Sequence, residues 1–264
     1  IYDFSYEVTS MLSSTERSEM REGVLQSQEE WLKTLLTPYA DSAIRFNVKV
    51  VWHSRPFEAI IQQVQEHQHD LVIKSTHKHH LIQSFIFTPT DWHLLRKCPC
   101  PVLLVKEQDW PIGGNVVAAV NCGSDDEGQA ALNHKIIAES TEVARLLSAQ
   151  LHLVNAFPIT PVNLALELPD FDPQVYNAAV KRHHERIMYE YAVRYDLESS
   201  ALHLEEGLAE EVIPRCADEL NATLVILGSV GRTGLSAALL GNTAEQVIDK
   251  LSCDVLVLRP DPTS

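Results

Sequence analysis

Residues 116–120, Val-Val-Ala-Ala-Val, lie between Gly113-Gly114 and Cys122-Gly123-Ser124. A short apolar run rich in β-branched residues and bounded by turn formers reads as a strand buried on both faces. Residues 127–147 then place Ala131, Ile136, Val143 and Leu147 at roughly helical spacing, and 151–157 (LHLVNAF) reads as a second strand. After a long connection, Asp172-Pro173 opens a helix running to Tyr195, with proline at a favoured early position. A weaker strand at 201–204, a helix over 209–220, a strand at 223–227, a helix over 242–251 and a last strand at 254–258 complete the pattern. Strands alternating with helices make parallel βαβ units, with helices on both faces of the sheet. The expected fold class is α/β, a doubly wound parallel sheet.

The same unit is written twice. A shift of 153 residues lays Leu71-Val72-Ile73 on Leu224-Val225-Ile226, Glu58 on Glu211 and Ile60 on Ile213. It also lays Thr90 on Thr243, Lys97 on Lys250, Cys100 on Cys253 and Val102-Leu103 on Val255-Leu256. Identities clustered on the apolar runs indicate two copies of one domain, expected at 1–108 and 115–264, joined by a linker over 106–114 with Pro111 and Gly113-Gly114. Ile1 falls on Val154, so the first copy lacks about 38 residues, a strand and a helix by the repeat argument. A parallel sheet without an interior strand exposes apolar faces. The start of the first copy is therefore expected to be missing from the chain as given.

Composition narrows the function classes. Lys plus Arg number 21 against 36 Asp plus Glu, a formal charge of −15. That balance argues against nucleic acid, whose phosphates need a basic face, and against an anionic membrane surface. The hydrophobic share of 45% suits a globular chain. No apolar run approaches the ~18 residues of a membrane span, and the start, IYDFSYEVTS, lacks a secretory pattern. Five cysteines do not form a disulfide framework. Together these features give the expectation of a soluble, cytoplasmic protein.

One glycine pattern carries chemistry. After the fourth strand of the second copy come Gly228, Gly231 and Gly241, followed by Asn242-Thr243. Glycines let a ligand approach the backbone, and free N–H groups at a following helix start cradle phosphate. Asn242 is the expected N-cap of that helix, with Glu245 as its reciprocal partner. On spacing alone, a ligand-free glycine turn before a capped helix is an equal alternative. The pattern Gly-x2-Gly-x9-Gly resembles the nucleotide signature of the universal stress protein family, in which Ser or Thr follows the last glycine. The stretches 87–99 (FTPTDWHLLRKCP) and 228–249 (GSVGRTGLSAALLGNTAEQVID) and the tandem arrangement resemble its two-domain members.

The resemblance implies strand order 3-2-1-4-5 and ATP bound between the first and fourth strands, where such a sheet reverses direction. Carried over by position, Asn121 stands where family members usually have an Asp. Ala156, Leu227 and Gly228 would approach the base and ribose, and Gly231, Gly241, Asn242 and Thr243 the phosphates. In the first copy Gly228, Gly231, Gly241 and Asn242 become Ser75, Lys78, Thr88 and Pro89, so that site is expected to be degenerate.

Other chemistry is sparse. No Gly-Lys-Ser/Thr is present to supply a P-loop lysine, and no Gly-x-Ser-x-Gly elbow. No catalytic residue is assigned and hydrolysis is expected to be slow or absent. His67, His69, His77, His79 and His80 form the densest histidine group, but no metal-ligand frame organises them and no metal is expected. Cys98-Pro99-Cys100 is expected to remain two thiols. The apolar connection 158–173 either lines a cavity for an apolar or acyl ligand or packs against protein, and the second is the favoured expectation.

The resulting expectation is a non-catalytic stress-response protein with an ATP or related nucleotide site in the second copy. The alternatives are an interaction scaffold with decayed sites, and a carrier of an apolar molecule under 158–173. Finally, 102–105 and 255–258 are expected to be edge strands, each with unpaired backbone groups. They are expected to pair antiparallel within one chain, as an intramolecular pseudo-dimer.

Overall fold

The computed structural model describes residues 1, 12–78, 85–106, 108–158, 172–229 and 240–261. The chain divides into two compact units, Ile1–His67 and Gln68–Ser264.

The first unit carries helix α1 (Ser14–Leu36), a 3-10 turn (Thr37–Tyr39) and helix α2 (Pro56–His67). Ser13 starts α1 with a capping box: its hydroxyl accepts from Glu16 N at 3.3 Å, and Ser13 N donates to Glu16 Oε2 at 2.8 Å. The Arg21 guanidinium lies 5.5 Å from the centre of the Trp52 ring and donates to the Trp52 carbonyl.

The second unit is built on a sheet in which, among the described residues, seven strands run in the order β1-β4-β9-β8-β5-β6-β7. These are β1 (Val72–Ser75), β4 (Val102–Val105), β5 (Asn115–Ala119), β6 (Gln150–Phe157), β7 (Leu202–Glu206), β8 (Ala222–Gly228) and β9 (Asp254–Leu258). A two-stranded antiparallel ribbon, β2 (His77–Lys78) with β3 (Phe85–Ile86), stands apart. Helices α3 (Pro89–Lys97), α4 (Glu127–Leu147), α5 (Pro173–Tyr195), α6 (Ala209–Glu219) and α7 (Asn242–Lys250) connect the strands.

Within the second copy the pairs β7-β6, β6-β5, β5-β8 and β8-β9 are all parallel, which is the expected order 3-2-1-4-5. The third strand runs over Leu202–Glu206, slightly beyond its expected position. The shift of 153 maps α3 onto α7 residue for residue and β1 onto the last four residues of β8. The repeat therefore extends from sequence to structure.

Strand pleating sends alternate residues to opposite faces. Val116, Ala118, Leu224 and Ile226 meet Leu132, Ile136 and Ile137 of α4 and Met188 and Tyr191 of α5 in one core. The intervening residues Val117, Val225 and Val255 are equally buried, as are Val212 of α6 and Val247 and Ile248 of α7. Beyond their first residues, Asn115 and Asp254, β5 and β9 are apolar throughout, which follows from that double coverage.

The last strands of the two copies pair antiparallel within the chain, with Val102 opposite Val257, Leu103 opposite Leu256 and Leu104 opposite Val255. Each strand thus supplies the partner that the other's edge needs. This pairing draws the end of the first copy into the second unit, so the boundary at His67 does not follow the repeat boundary. The linker is anchored at the same place. Asp254, fully buried, accepts from Lys106 N at 2.7 Å, Trp110 Nε1 at 2.6 Å and Gln108 Nε2 at 3.4 Å. The buried Lys106 ammonium donates to the Leu251 carbonyl.

A histidine chain crosses three strands. Asn115 Nδ2 donates to the Leu220 carbonyl at 2.6 Å, which leaves Asn115 Oδ1 to accept from His152 Nε2–H at 3.2 Å. His152 Nδ1 must then accept from His203 Nε2–H at 3.0 Å, so the His152 ring is neutral in this arrangement. Burial first, then His203, lowers the pKa of His152; burial likewise lowers His203 against the opposing pull of Glu205 and Glu219. Burial also lowers His134 and His184. For such groups the unfolded chain binds protons more readily. Their contribution to stability is complete above the ordinary value of 6.5 and is lost as pH falls from there through the lowered values. We expect the urea midpoint to drop between about pH 7.5 and about pH 5.5. Replacing His152 with Gln is expected to flatten part of that slope.

Candidate functional site

The parallel sheet reverses direction between β5 and β8, and a crevice opens there at the carboxyl ends of the strands. A cavity of about 820 Å³ occupies it. Asn121, Ala156, Leu227, Gly228, Gly241, Asn242 and Thr243 all line this cavity. Of the expected site residues only Gly231 is left, and it lies outside the described residues, as do His79, His80 and 159–171 of the apolar connection.

Local structure explains how these residues meet. β5 ends at Ala119, and the chain turns at Asn121, whose Oδ1 accepts from Gly123 N at 3.0 Å. The turn is fastened to α4: Asn133 Oδ1 accepts from Asn121 N at 3.1 Å, and Asn133 Nδ2 donates to the Asn121 carbonyl at 2.8 Å. After β8, Ser229 N donates to the Leu258 carbonyl and Ser229 O accepts from Gly241 N, each at 2.8 Å. That second bond closes the glycine loop and sets Gly241 beside the end of β8. Gly228 packs against α4 closely enough that a Cβ there would lie 2.6 Å from Leu132 Cδ2.

The start of α7 corrects one expectation. The N-cap is Gly241, extended at φ −73°, and Asn242 is the first helical residue. With the cap moved back by one residue, Ala244 occupies the position from which a glutamate would reach back. Glu245 instead accepts from Arg96 Nε of α3 at 2.8 Å. Among the described residues no side chain caps α7, and its first amides stand where Gly241–Ala244 form part of the cavity wall. Ser229 Oγ, fully buried, has no hydrogen-bond partner among the described residues.

The corresponding helix of the first copy is closed. Thr88 caps α3, accepting from Asp91 N at 3.3 Å, while Thr88 N donates to Asp91 Oδ2 at 2.6 Å. Pro89 has no N–H to offer. Asp91, fully buried and 2.7 Å from Lys74 Nζ, places a carboxylate where the second copy has an open helix start.

None of the described residues lining the cavity is charged. Its polar groups are the amides of Asn121, Gln129, Asn155 and Asn242 and the Thr243 hydroxyl. Gln129 and Asn155 escaped the sequence reading. Asn155 has a legible signal, a lone amide in the apolar strand LHLVNAF, and its Nδ2 donates to the Val120 carbonyl at 2.9 Å. Gln129 donates to Asn133 one turn later on α4, at 3.0 Å.

Elsewhere the chemistry is quiet. Among the described residues no three His, Cys, Asp or Glu side chains group to hold a metal, and no helix is long and apolar enough to cross a membrane. The five cysteines are free and buried, with Cys98 and Cys100 sulfurs 3.6 Å apart. Burial pushes the thiols of Cys100, Cys122, Cys216 and Cys253 up to about 12, far from the thiolate form.

An open parallel sheet of this order, with helices on both faces and a cavity at its reversal, defines a doubly wound α/β protein. The universal stress protein family model matches residues 1–106 and 114–259, and the chain belongs to that family. It is 51% identical to universal stress protein E of Escherichia coli (strain K12) over 262 residues, which is 99% of this chain and 83% of that protein. Protein PA1789 of Pseudomonas aeruginosa PAO1, of known crystal structure, is 34% identical with a TM-score of 0.73, covering 88% of this chain and 78% of that one. A universal stress protein from Archaeoglobus fulgidus DSM 4304 shares the fold over 99% of this chain and 84% of its own, with a TM-score of 0.63 at 17% identity.

Proposed function

We propose that this is a cytoplasmic, non-catalytic stress-response protein that binds ATP or a related nucleotide once per chain, in the second copy (115–264). The observation that carries the reading is the cavity at the sheet reversal, where Gly228, Gly241 and the start of α7 share one wall. Backbone amides at a helix start suit an anion, and the uncharged lining leaves them as the local electrostatic feature. Ala156, Leu227 and Gly228 approach the base and ribose; Gly231, Gly241, Asn242 and Thr243 approach the phosphates. Asn121, with Oδ1 held by Gly123 N, offers its Nδ2 as a donor. The first copy (1–108) binds no nucleotide, because Thr88 and Asp91 already occupy the start of α3.

Titration calorimetry with ATP tests this: one site per chain is expected, and two equivalent sites or none would refute it. Lacking a P-loop lysine and a charged group in the described lining, the protein is expected to turn ATP over far below the ~1–10³ s⁻¹ of ordinary enzymes. Steady-state hydrolysis within that range, tracking the protein through purification, would overturn the non-catalytic part.

A further inference from the structure

A second cavity, of about 500 Å³, lies on the α5 side of the Asn121–Gly123 turn. Asn121 and Ala156 line both cavities, but the rest of the second wall is its own: Gly123, Pro158, Tyr176 and His184 among others. His184 is only 3% exposed, and its hydrogen bonding determines what it offers. Asn155 Nδ2 donates to the Val120 carbonyl, so Asn155 Oδ1 is the end turned to the ring, 2.6 Å from His184 Nδ1. An amide oxygen can only accept, and Nδ1 therefore carries the proton. In the neutral imidazole, Nε2 is then a bare acceptor. Burial, with a smaller contribution from His183, lowers the pKa of His184 and so favours that neutral form.

The ring edge bearing Nε2 lies against Gly123, where a Cβ would be 3.1 Å from Cε1 and 3.2 Å from Nε2. Glycine at this position leaves room for the edge to open onto the cavity. Stability alone does not call for this arrangement, because an apolar pair of the same shape can serve a core as well as a hydrogen-bonded one. No Asp, Glu, Lys or Arg lines the cavity among the described residues, so an ionic ligand would lie there without a counter-charge. Pro158, Tyr176 and Val180 offer flat or apolar surface suited to a ring.

We propose that this cavity is a second ligand site, which takes a neutral, flat heteroaromatic molecule presenting one N–H or O–H to His184 Nε2. The helix start of α7 takes no part in this cavity, but Asn121 and Ala156 belong to both walls, so the assignment is read at Gly123, Val180 and His184, which line only the second.

Indole, which has a ring N–H, and 1-methylindole, which lacks it, are the probes. They are titrated into ¹⁵N-labelled full chain and followed by amide spectra and by long-range ¹H–¹⁵N spectra of the histidine rings. Indole is expected to shift the Gly123 and Val180 amides and His184 Nε2 saturably, and 1-methylindole to bind about tenfold more weakly, because it leaves the acceptor unmet. Ala179 lines the cavity from an exposed position on α5, so A179W fills the space without touching the Asn155–His184 pair. That variant is expected to keep the wild-type spectrum elsewhere and to lose the indole shifts. No saturable shift with indole, equal binding of the two probes, or indole shifts unchanged in A179W would each overturn the proposal.

Discussion

Gly241→Val is expected to weaken ATP binding by roughly 100-fold or more, the size of losing two hydrogen bonds to a charged group at ~1.5–3 kcal/mol each. The backbone at Gly241 is extended, at φ −73° and ψ 146°, which valine adopts readily. Valine is a poor N-cap, so a stability loss of about 1 kcal/mol is expected, and the fold should survive it. What changes is the wall beside the first amides of α7, where an isopropyl group would stand in the phosphate's path. Gly228 is a less informative position. A side chain there drives into Leu132, so lost binding could reflect a displaced α4. Calorimetry on Gly241→Val, with circular dichroism to verify folding, separates the two effects. Unchanged affinity in a folded variant would refute the phosphate assignment.

Asp254→Ala is expected to cost about 3–5 kcal/mol of stability, the usual penalty for removing one partner of a buried charged network. The carboxylate gathers donors from a segment more than 140 residues earlier: the Lys106 amide, the Trp110 indole and the Gln108 amide. Without it, the buried Lys106 N–H and the half-buried Trp110 N–H lose their acceptor beside the buried Lys106 ammonium, and the linker loses its anchor next to the β4–β9 pairing. Urea denaturation measures the loss. Trp110→Phe alone should cost less, about 1–2 kcal/mol, and the double variant should cost less than the sum of the two, because both remove the same bond. Strictly additive losses would show that the indole and the carboxylate do not act together.

How far the sequence could be read depended on the range of the interaction. β5, β6, β8 and β9 were legible because strands covered on both faces must be apolar almost throughout. The third strand was weaker in sequence, and β7 is the edge strand on its side of the sheet. The α7 cap was misread by one residue. Asn242 has the better capping side chain, but the bond from Gly241 N to Ser229 O and the ion pair of Glu245 with Arg96 outweigh that local preference. Neither partner is near α7 in sequence. His183-His184 carried no usable signal, because the role of His184 depends on Asn155, 29 residues away.

By itself the sequence determined the repeat, the α/β alternation, the strand order implied by family resemblance and the glycine segment that marks the cavity. Each of these rests on local periodicity or on similarity between segments, and both are written along the chain. Tertiary structure alone decided that the α7 start is uncapped while its counterpart α3 is sealed by Asp91, and that Asp254 anchors the linker. It also decided that Asn155 engages His184 Nδ1 while the ring lines a second cavity. In each case a polar group is satisfied, or left open, by an atom that packing brings near, and hydrogen-bond directions at such distances leave no periodic trace in sequence.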